Sequence, residues 1–386
     1  MSSISIKEVK TKDDLKKFIE FPMNLYKENP NFVPSLISDE KNTWDAKENP
    51  ALKFSQAKQF LAKKNGQIVG RIAVIFNPKD KDQHDGKVRF GWFDFVDDIE
   101  VSKALLQTAI DFAKEQNTDK IEGPMGFTNL DKAGMLTMGF DRQATMIGLY
   151  NFDYYPRHLE NLGLKKEKEW VEFEINFPET LPEKVEKFST LLAEKYGLKV
   201  LRFHNKKEIL PYVDPMFRLL DDTYKHLSTY TPISEEQIQT YKEKYFPFIA
   251  KEYVICIADS RGDLVAFAIT MPSYSEALRK SRGKLFPFGW WHFLQAGRKN
   301  DRANFYLIGI HPDYQRRGVT AIIFKEIFVR FRKMGIKYTE TNPELEENKS
   351  VQVLWQDYNP VNHKRRRTYA IQVQDWKFNH EAKIGS

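Results

Sequence analysis

The chain has 386 residues, with 60 Lys and Arg against 53 Asp and Glu, a formal net charge of +7, and 41% hydrophobic residues. Its 29 Phe, 17 Tyr and 7 Trp exclude a disordered chain, and its one cysteine, Cys256, excludes a disulfide scaffold or a zinc site built of thiolates. No apolar run reaches the ~20 residues of a membrane-spanning helix. The opening segment MSSISIKEVKTKDD lacks the apolar stretch of a secretory signal, so a cytoplasmic location is expected. So mild a charge permits an anionic ligand without arguing for nucleic acid.

Read in chain order, ISIKEVKTKDDLKKFIEF predicts a strand and then a helix capped by Thr11. Residues 57–76, AKQFLAKKNGQIVGRIAVIF, predict a hairpin, because Asn65-Gly66 suits a turn that needs positive φ. KVRFGWFDFVDD (87–98) reads as a strand, IEVSKALLQTAIDFAKEQ as a helix, and NFDYYPRHLENLGL as a helix ending at Gly163. The order then begins again. KVLRFHNKKEILPYV holds a strand and a helix capped by Asn205, and residues 252–270 form a hairpin turning at Ser260-Arg261-Gly262. The strand NFYLIGIH (304–311) leads to a helix from Val319 to Lys333 with Ile322, Ile323, Ile327 and Phe331 on one stripe and a stop at Gly335.

Gly66 aligns with Gly262 and Gly163 with Asn359, both at an offset of 196 residues, so a duplicated α+β fold is expected. The copies are placed at 1–175 and 198–386, joined by a connecting segment at 176–197. The second copy carries an extra stretch, 271–304, that combines Arg279, Lys280, Arg282, Lys284, Arg298 and Lys299 with Phe286, Phe288, Trp290, Trp291 and Phe293. A helical hairpin with a buried aromatic side and a solvated basic face is expected there; a wall of an acceptor pocket and stacking against RNA are the functional readings. The run His363-Lys364-Arg365-Arg366-Arg367 reads as a solvated strand entry or as a contact for an anionic ligand, and Cys256 as a small core hydrophobe.

Chemistry concentrates in the loop Gln315-Arg316-Arg317-Gly318-Val319-Thr320. A strand that feeds a glycine-containing loop into a helix N-terminus aims several free amides at one spot, and the helix dipole adds positive potential. Two arginines stand beside it, and Gly318 presents no Cβ to a phosphate. In the first copy the equivalent place holds Asp97, Asp98 and Glu100, which repel pyrophosphate.

Gln315, Gly318 and the His-Pro-Asp-Tyr lead-in resemble the Q/R-x-x-G-x-G/A signature of the GCN5-related N-acetyltransferase (GNAT) superfamily, with Thr320 where that family has Gly or Ala. The stretches IEGPMGFTNLDKAGMLTMGFD, YNFDYYPRHLENLGL and NHKRRRTYAI, spread over both halves, look like a bacterial family of tandem GNAT proteins. The resemblance implies two layered GNAT-like domains, each a mixed, mostly antiparallel twisted sheet flanked by helices, the first without a CoA loop. It implies acetyl-CoA or another acyl-CoA as co-substrate, no metal, and direct transfer to an amine of a small molecule or peptide. The cofactor residues carried over are Ile308, Gly309, Ile310, Gln315, Arg316, Arg317, Gly318, Val319, Thr320 and Asn348.

Gly309 interrupts an apolar strand, as a bulge or a close ligand approach would require. The family often draws its acid from a Tyr seven residues after an Asn; counting from Asn348 gives Trp355, and Tyr358 follows one turn on. Tyr358 is therefore an acid candidate or a packing residue. Glu340 is a base candidate or a solvated strand-end carboxylate, and His311 belongs to its turn. Two further functions fit the sequence: a tRNA-dependent aminoacyltransferase of the peptidoglycan-bridge type, and a non-catalytic acyl-CoA-binding scaffold, which Trp355 favours.

Overall fold

The asparagine and glycine predicted to turn the first hairpin do so, with φ of 53° at Asn65 and 79° at Gly66 in a computed structural model of the chain. The structure describes residues 3–78, 86–128, 130–178, 180–181, 183–224, 234–246, 249–315, 317–348, 352, 355 and 358–378. The first elements are β1 (Ile4–Glu8), α1 (Lys12–Leu25), α2 (Ile37–Thr43), the hairpin β2 (Gln56–Lys64) and β3 (Gln67–Phe76), and β4 (Lys87–Phe95). The Thr11 hydroxyl accepts from the Asp14 amide at the start of α1, as a capping residue should. Next come α3 (Ile99–Glu115), β5 (Lys120–Gly123), β6 (Met135–Met138), α4 (Tyr154–Asn161), β7 (Lys165–Asn176) and α5 (Glu183–Tyr196).

Beyond them lie β8 (Lys199–Val200), α6 (Leu210–Tyr224), α7 (Glu235–Tyr245), β9 (Val254–Ala258) and β10 (Leu264–Pro272). The extra stretch forms α8 (Ser275–Ser281) and α9 (Gly289–Arg298). The chain continues through β11 (Arg302–Ile310), α10 (Val319–Met334), β12 (Tyr338–Glu340), β13 (Glu344–Leu345) and β14 (Val361–Gln372). In ENKSVQVLWQDYNP, residues 349–351, 353–354 and 356–357 lie outside those described; Asn359, aligned with the helix-ending Gly163, has the positive φ, 47°, expected after a helix end.

Packing divides the chain into two units. The first comprises the described residues of Met1–Val171, Ser275–His292 and Lys364–Ser386; the second, those of Glu172–Tyr274 and Phe293–His363. In the first unit β1, β2, β3 and β4 pair antiparallel in sequence order, β4 pairs parallel with β5, and β5 pairs antiparallel with the last strand, β14. In the second unit β8, β9, β10 and β11 repeat the antiparallel order, β11 pairs parallel with β12, and β12 pairs antiparallel with the end of β7. Each unit is thus a mixed, mostly antiparallel sheet flanked by helices.

Three expectations change. The strand that closes each unit's sheet comes from the other half of the sequence. A strand edge accepts any strand with the right length and facing pattern, so two similar halves can trade closing strands at no loss of hydrogen bonds. The division at 1–175 and 198–386 therefore does not coincide with the packed units. The aromatic side of 271–304 is not buried: Phe286, Phe288, Trp290 and Trp291 are exposed, and of the aromatics named there only Phe293 is buried. The basic run is not a solvated entry either. His363, Lys364 and Arg366 are buried, and Arg366 donates to the Leu149 carbonyl. A buried cation persists where oxygen acceptors surround it.

The core of the second unit is built on the predicted stripe of α10. Val319, Ile322, Ile323, Ile327 and Phe331 are buried against Ile255, Ile257, Ala266 and Phe305. Each such side chain contributes roughly 1.5–3 kcal/mol of transfer free energy. Cys256 is buried on the opposite face with Val213, Met216 and Phe267, and burial pushes its thiol pKa up to about 12, so it packs as a hydrophobe.

Candidate functional site

Parallel pairing of β11 with β12 stops after three residues, Arg302 with Tyr338, Ala303 with Thr339 and Asn304 with Glu340. Beyond Asn304, β11 runs on beside β10 alone, so the two strands part. A bulge lies at the same place. Leu307 opposes Ile269 and Phe305 opposes Thr270, which leaves Tyr306 as the extra residue. A bulge twists a strand and re-aims its backbone, which helps the strands to separate. The Asn342 side-chain amide donates to the Tyr306 carbonyl across the mouth of the gap.

Gly309 is not the bulge. It faces Phe267, and a Cβ there would stand 2.5 Å from the Phe267 ring, so glycine makes room for a cross-strand aromatic. Ile308 and Ile310 pack on the face that carries α10.

The strand then enters the loop. His311 Nδ1 accepts from the Asp313 amide, and the His311 amide donates to the Val265 carbonyl, so His311 shapes its turn. Gln315 Nε2 donates to the Ile310 carbonyl at 3.1 Å, tying the loop to the strand end. Gly318 has φ 74°, and a Cβ on it would meet Leu192 Cδ1 of α5 at 2.8 Å; both the conformation and the space call for glycine. No side chain caps α10. The amides of Gly318, Val319 and Thr320 have no acceptor among the described residues.

The Arg317 guanidinium lies 5.4 Å from the Tyr196 ring centroid and 5.8 Å from that of Tyr314, with no carboxylate paired to it among the described residues. Free amides, a helix N-terminus and an uncompensated arginine suit a pyrophosphate. Arg316 lies outside the described residues. Asn348 donates its amide to the Leu345 carbonyl. A shallow cavity of about 320 Å³, lined by Phe177, Phe328, Arg332 and Lys337 among others, lies at the far end of α10, about 24 Å of helix from this loop.

Glu340, the last residue of β12, and Glu344, four residues on, are two carboxylates near the point where the strands part. Glu340, opposite Asn304, has its Oε2 3.5 Å from Nε2 of the buried His363. Glu344 was not singled out from the sequence. Its Oε1 accepts from the Trp355 indole at 2.7 Å, and Trp355 packs on Phe305 and Phe324. Burial raises the Glu344 pKa to about 8, an effect the indole N–H partly offsets. Glu344 Oε2 and Asn342 Oδ1 are buried with no hydrogen-bond partner. The signal in the sequence was Trp355 itself, since a buried indole N–H needs an acceptor. Tyr358 is buried with its ring against Phe324. Among the described residues no group of three His, Cys, Asp or Glu is placed to hold a metal ion.

The first unit repeats the strand geometry and fills the gap. β4 and β5 pair over Lys87–Arg89 and Lys120–Glu122 only. The chain after β5 then lies along β4. The Met125 amide donates to the Phe90 carbonyl at 2.8 Å, and a Cβ on Gly91 would stand 2.3 Å from the Met125 carbonyl oxygen. The helix that follows starts with Asp98, whose side chain accepts from the Glu100 amide and pairs with Lys64, while Asp97 meets His158. The carboxylates of Asp97 and Asp98 at this helix start repel an anion.

No family model matches the chain. It is 26% identical to the protein YghO of Escherichia coli over 372 residues, 94% of each chain. It is 24% identical to the bacterial ceramide synthase of Caulobacter vibrioides over 381 residues, 95% of this chain and 97% of that one. Among solved structures it is similar to a tandem GNAT protein from the clavulanic acid biosynthesis pathway, with a TM-score of 0.54 at 9% identity over 96% of this chain and 99% of that one. A glucosamine N-acetyltransferase region of a fungal β-N-acetylglucosaminidase gives a TM-score of 0.56 at 13% identity, over 96% of this chain and 38% of that one. With two like sheets, each parting beside its helix, and with these neighbours, the chain has the tandem GNAT fold.

Proposed function

We propose that the second unit is an acyl-CoA-dependent N-acyltransferase, with acetyl-CoA or another acyl-CoA as co-substrate and an amine as acceptor. The observation that carries this reading is the coincidence of an uncapped helix N-terminus at Gly318 with a strand pair that parts beyond Asn304. The amides of Gly318, Val319 and Thr320, with Arg316, Arg317 and Asn348, would hold the pyrophosphate. Gln315 would keep the loop in register, and the edge of β11 at Ile308–Ile310 would line the pantetheine arm. Bound acyl-CoA supplies the thioester.

The amine must lose a proton to react. We assign that proton to Glu344, whose raised pKa lies near neutrality and whose Oε2, with Asn342 Oδ1, offers buried acceptors that an amine can satisfy. Glu340, held beside His363, is the second carboxylate at the parting strands. Tyr358 is kept out of the proton path because its ring is packed in the core. Glu344→Gln should lower kcat by about 100-fold with little change in KM, within the range of general-base catalysis, while Glu340→Gln should cost less.

The relative named a bacterial ceramide synthase favours a second, narrower reading, in which the amine belongs to a long-chain lipid. Acetyl-CoA or a long-chain acyl-CoA should raise the melting temperature of the protein. Mass spectrometry of reactions with a panel of small, peptide and lipid amines should then find the acylated product. No thermal shift with any acyl-CoA would overturn the reading; a shift without product from any amine would leave an acyl-CoA-binding scaffold in its place.

A further inference from the structure

We propose that residues 280–291 form a membrane-docking surface that seats on anionic lipid headgroups. Phe286 is 79% exposed, Phe288 76%, Trp291 49% and Trp290 44%, so four large aromatics within six positions face solvent. Lone exposed apolar residues are ordinary; a contiguous group of this kind marks an interaction surface.

The segment is held in place rather than frayed. Ser275 Oγ donates to the Ala144 carbonyl, and the Gly283 carbonyl accepts from the Ile37 amide at 2.9 Å. A Cβ on Gly283 would stand 2.3 Å from the Ser35 carbonyl oxygen, and one on Gly289 1.8 Å from that of Lys284, so only glycine allows the chain to close so tightly at both places. The Trp290 indole donates to the Pro287 carbonyl at 2.9 Å, and its ring meets Trp291 edge to face at 6.0 Å. The fold therefore presents these rings outward on an anchored loop and the first turn of α9.

Charge indicates what covers them. Lys280, Arg282 and Lys284 lie in the same segment as the rings, are exposed and form no salt bridge among the described residues; Lys280 is near enough to Glu276 to help hold its carboxyl pKa down. The one carboxylate close by in sequence, Glu276, already pairs with Arg279 and accepts from Gln143. Phenyl and indole rings at the headgroup level, rimmed by Lys and Arg, match an anionic lipid interface in both apolar content and sign. A stacking platform for nucleic acid would use ring faces along a basic groove. Here two Phe project from a loop tip on either side of Pro287.

The inference stands apart from the acyl-transfer reading and is tested without it. The full chain is floated with vesicles of phosphatidylcholine alone and of phosphatidylcholine with phosphatidylglycerol. Wild type should rise with the anionic vesicles. The double substitution Phe286→Ser/Phe288→Ser should reduce partitioning by about tenfold or more, in proportion to the apolar area withdrawn from lipid. Lys280→Glu/Arg282→Glu/Lys284→Glu should abolish the preference for anionic over zwitterionic vesicles. Both variants change exposed side chains and should melt at the wild-type temperature. The proposal is overturned if wild type stays with the buffer, or if the Phe variant floats like wild type. It is equally overturned if those substitutions dissolve a dimer seen by light scattering, or if the rings bind single-stranded RNA and not vesicles.

Discussion

In both units a strand pairs in parallel for three residues with the strand that follows the next helix, and then leaves it. In the first unit the freed edge of β4 is taken at once by its own chain: the Met125 amide reaches the Phe90 carbonyl, and Gly91 lies under the Met125 carbonyl. In the second unit the corresponding edge of β11 is met by a side chain, Asn342, at Tyr306. The helices follow suit, since α3 is capped by Asp98 and α10 begins at a bare left-handed glycine. One duplicated frame thus yields a closed copy and an open one. The difference lies in who occupies an unsatisfied backbone edge and a helix N-terminus, both of which a protein must pair with something.

The sharpest way to break this contrast is Gly318→Glu. It places a carboxylate in the cradle, forces a side chain into φ 74° and drives it against Leu192. The acetyl-CoA-induced rise in melting temperature should vanish and affinity should fall by about 100-fold or more, roughly 2.7 kcal/mol. The reciprocal Asp98→Gly should give the first unit no affinity at all, because its gap is filled; isothermal titration would count the sites.

A smaller effect separates the two kinds of filling. Gly91→Ala must push backbone against backbone and should cost about 1–3 kcal/mol in urea unfolding. Gly309→Ala meets only the edge of the Phe267 ring, which can tilt, and should cost about 1 kcal/mol or less.

Glu344 supplies a pH test of the open copy. Its folded pKa of about 8 lies above the ordinary 4.5, so the native state binds a proton that the unfolded state has released between those values. Stability should therefore fall as pH rises from 4.5 to 8, by about 1 kcal/mol or more, and Glu344→Gln should remove that slope. Chemical denaturation across the range would show it. Least of all should change with Tyr358→Phe, which keeps the ring on Phe324 and should leave turnover within about twofold, as a packing role requires. A tenfold loss of kcat would return Tyr358 to the proton path.

Much of this was legible beforehand because it is local. Asn65-Gly66, the Thr11 cap, the stripe from Ile322 to Phe331 and the loop at Gly318 each follow from spacing within one turn or one helix. The acidic start of α3 was legible in the same way, as a helix N-terminus that caps itself. Glu344 was not legible, because its raised pKa arises from burial beside Trp355, eleven residues away in sequence. Gly309 was misread for a similar reason. A glycine in a strand signals close approach, but only the register with β10 reveals that a Phe267 ring is what approaches.

By itself the sequence determined the repeat and most elements of each copy, since these depend on short-range periodicity and capping. The tertiary structure decided the rest. It set which half closes which sheet, because strand edges are interchangeable; it buried His363, Lys364 and Arg366 of the basic run; and it left Phe286, Phe288, Trp290 and Trp291 in solvent. An aromatic side chain is apolar wherever it stands in a sequence. Whether it ends in a core or on a surface depends on which groups pack against it, and that is fixed only when distant parts of the chain meet.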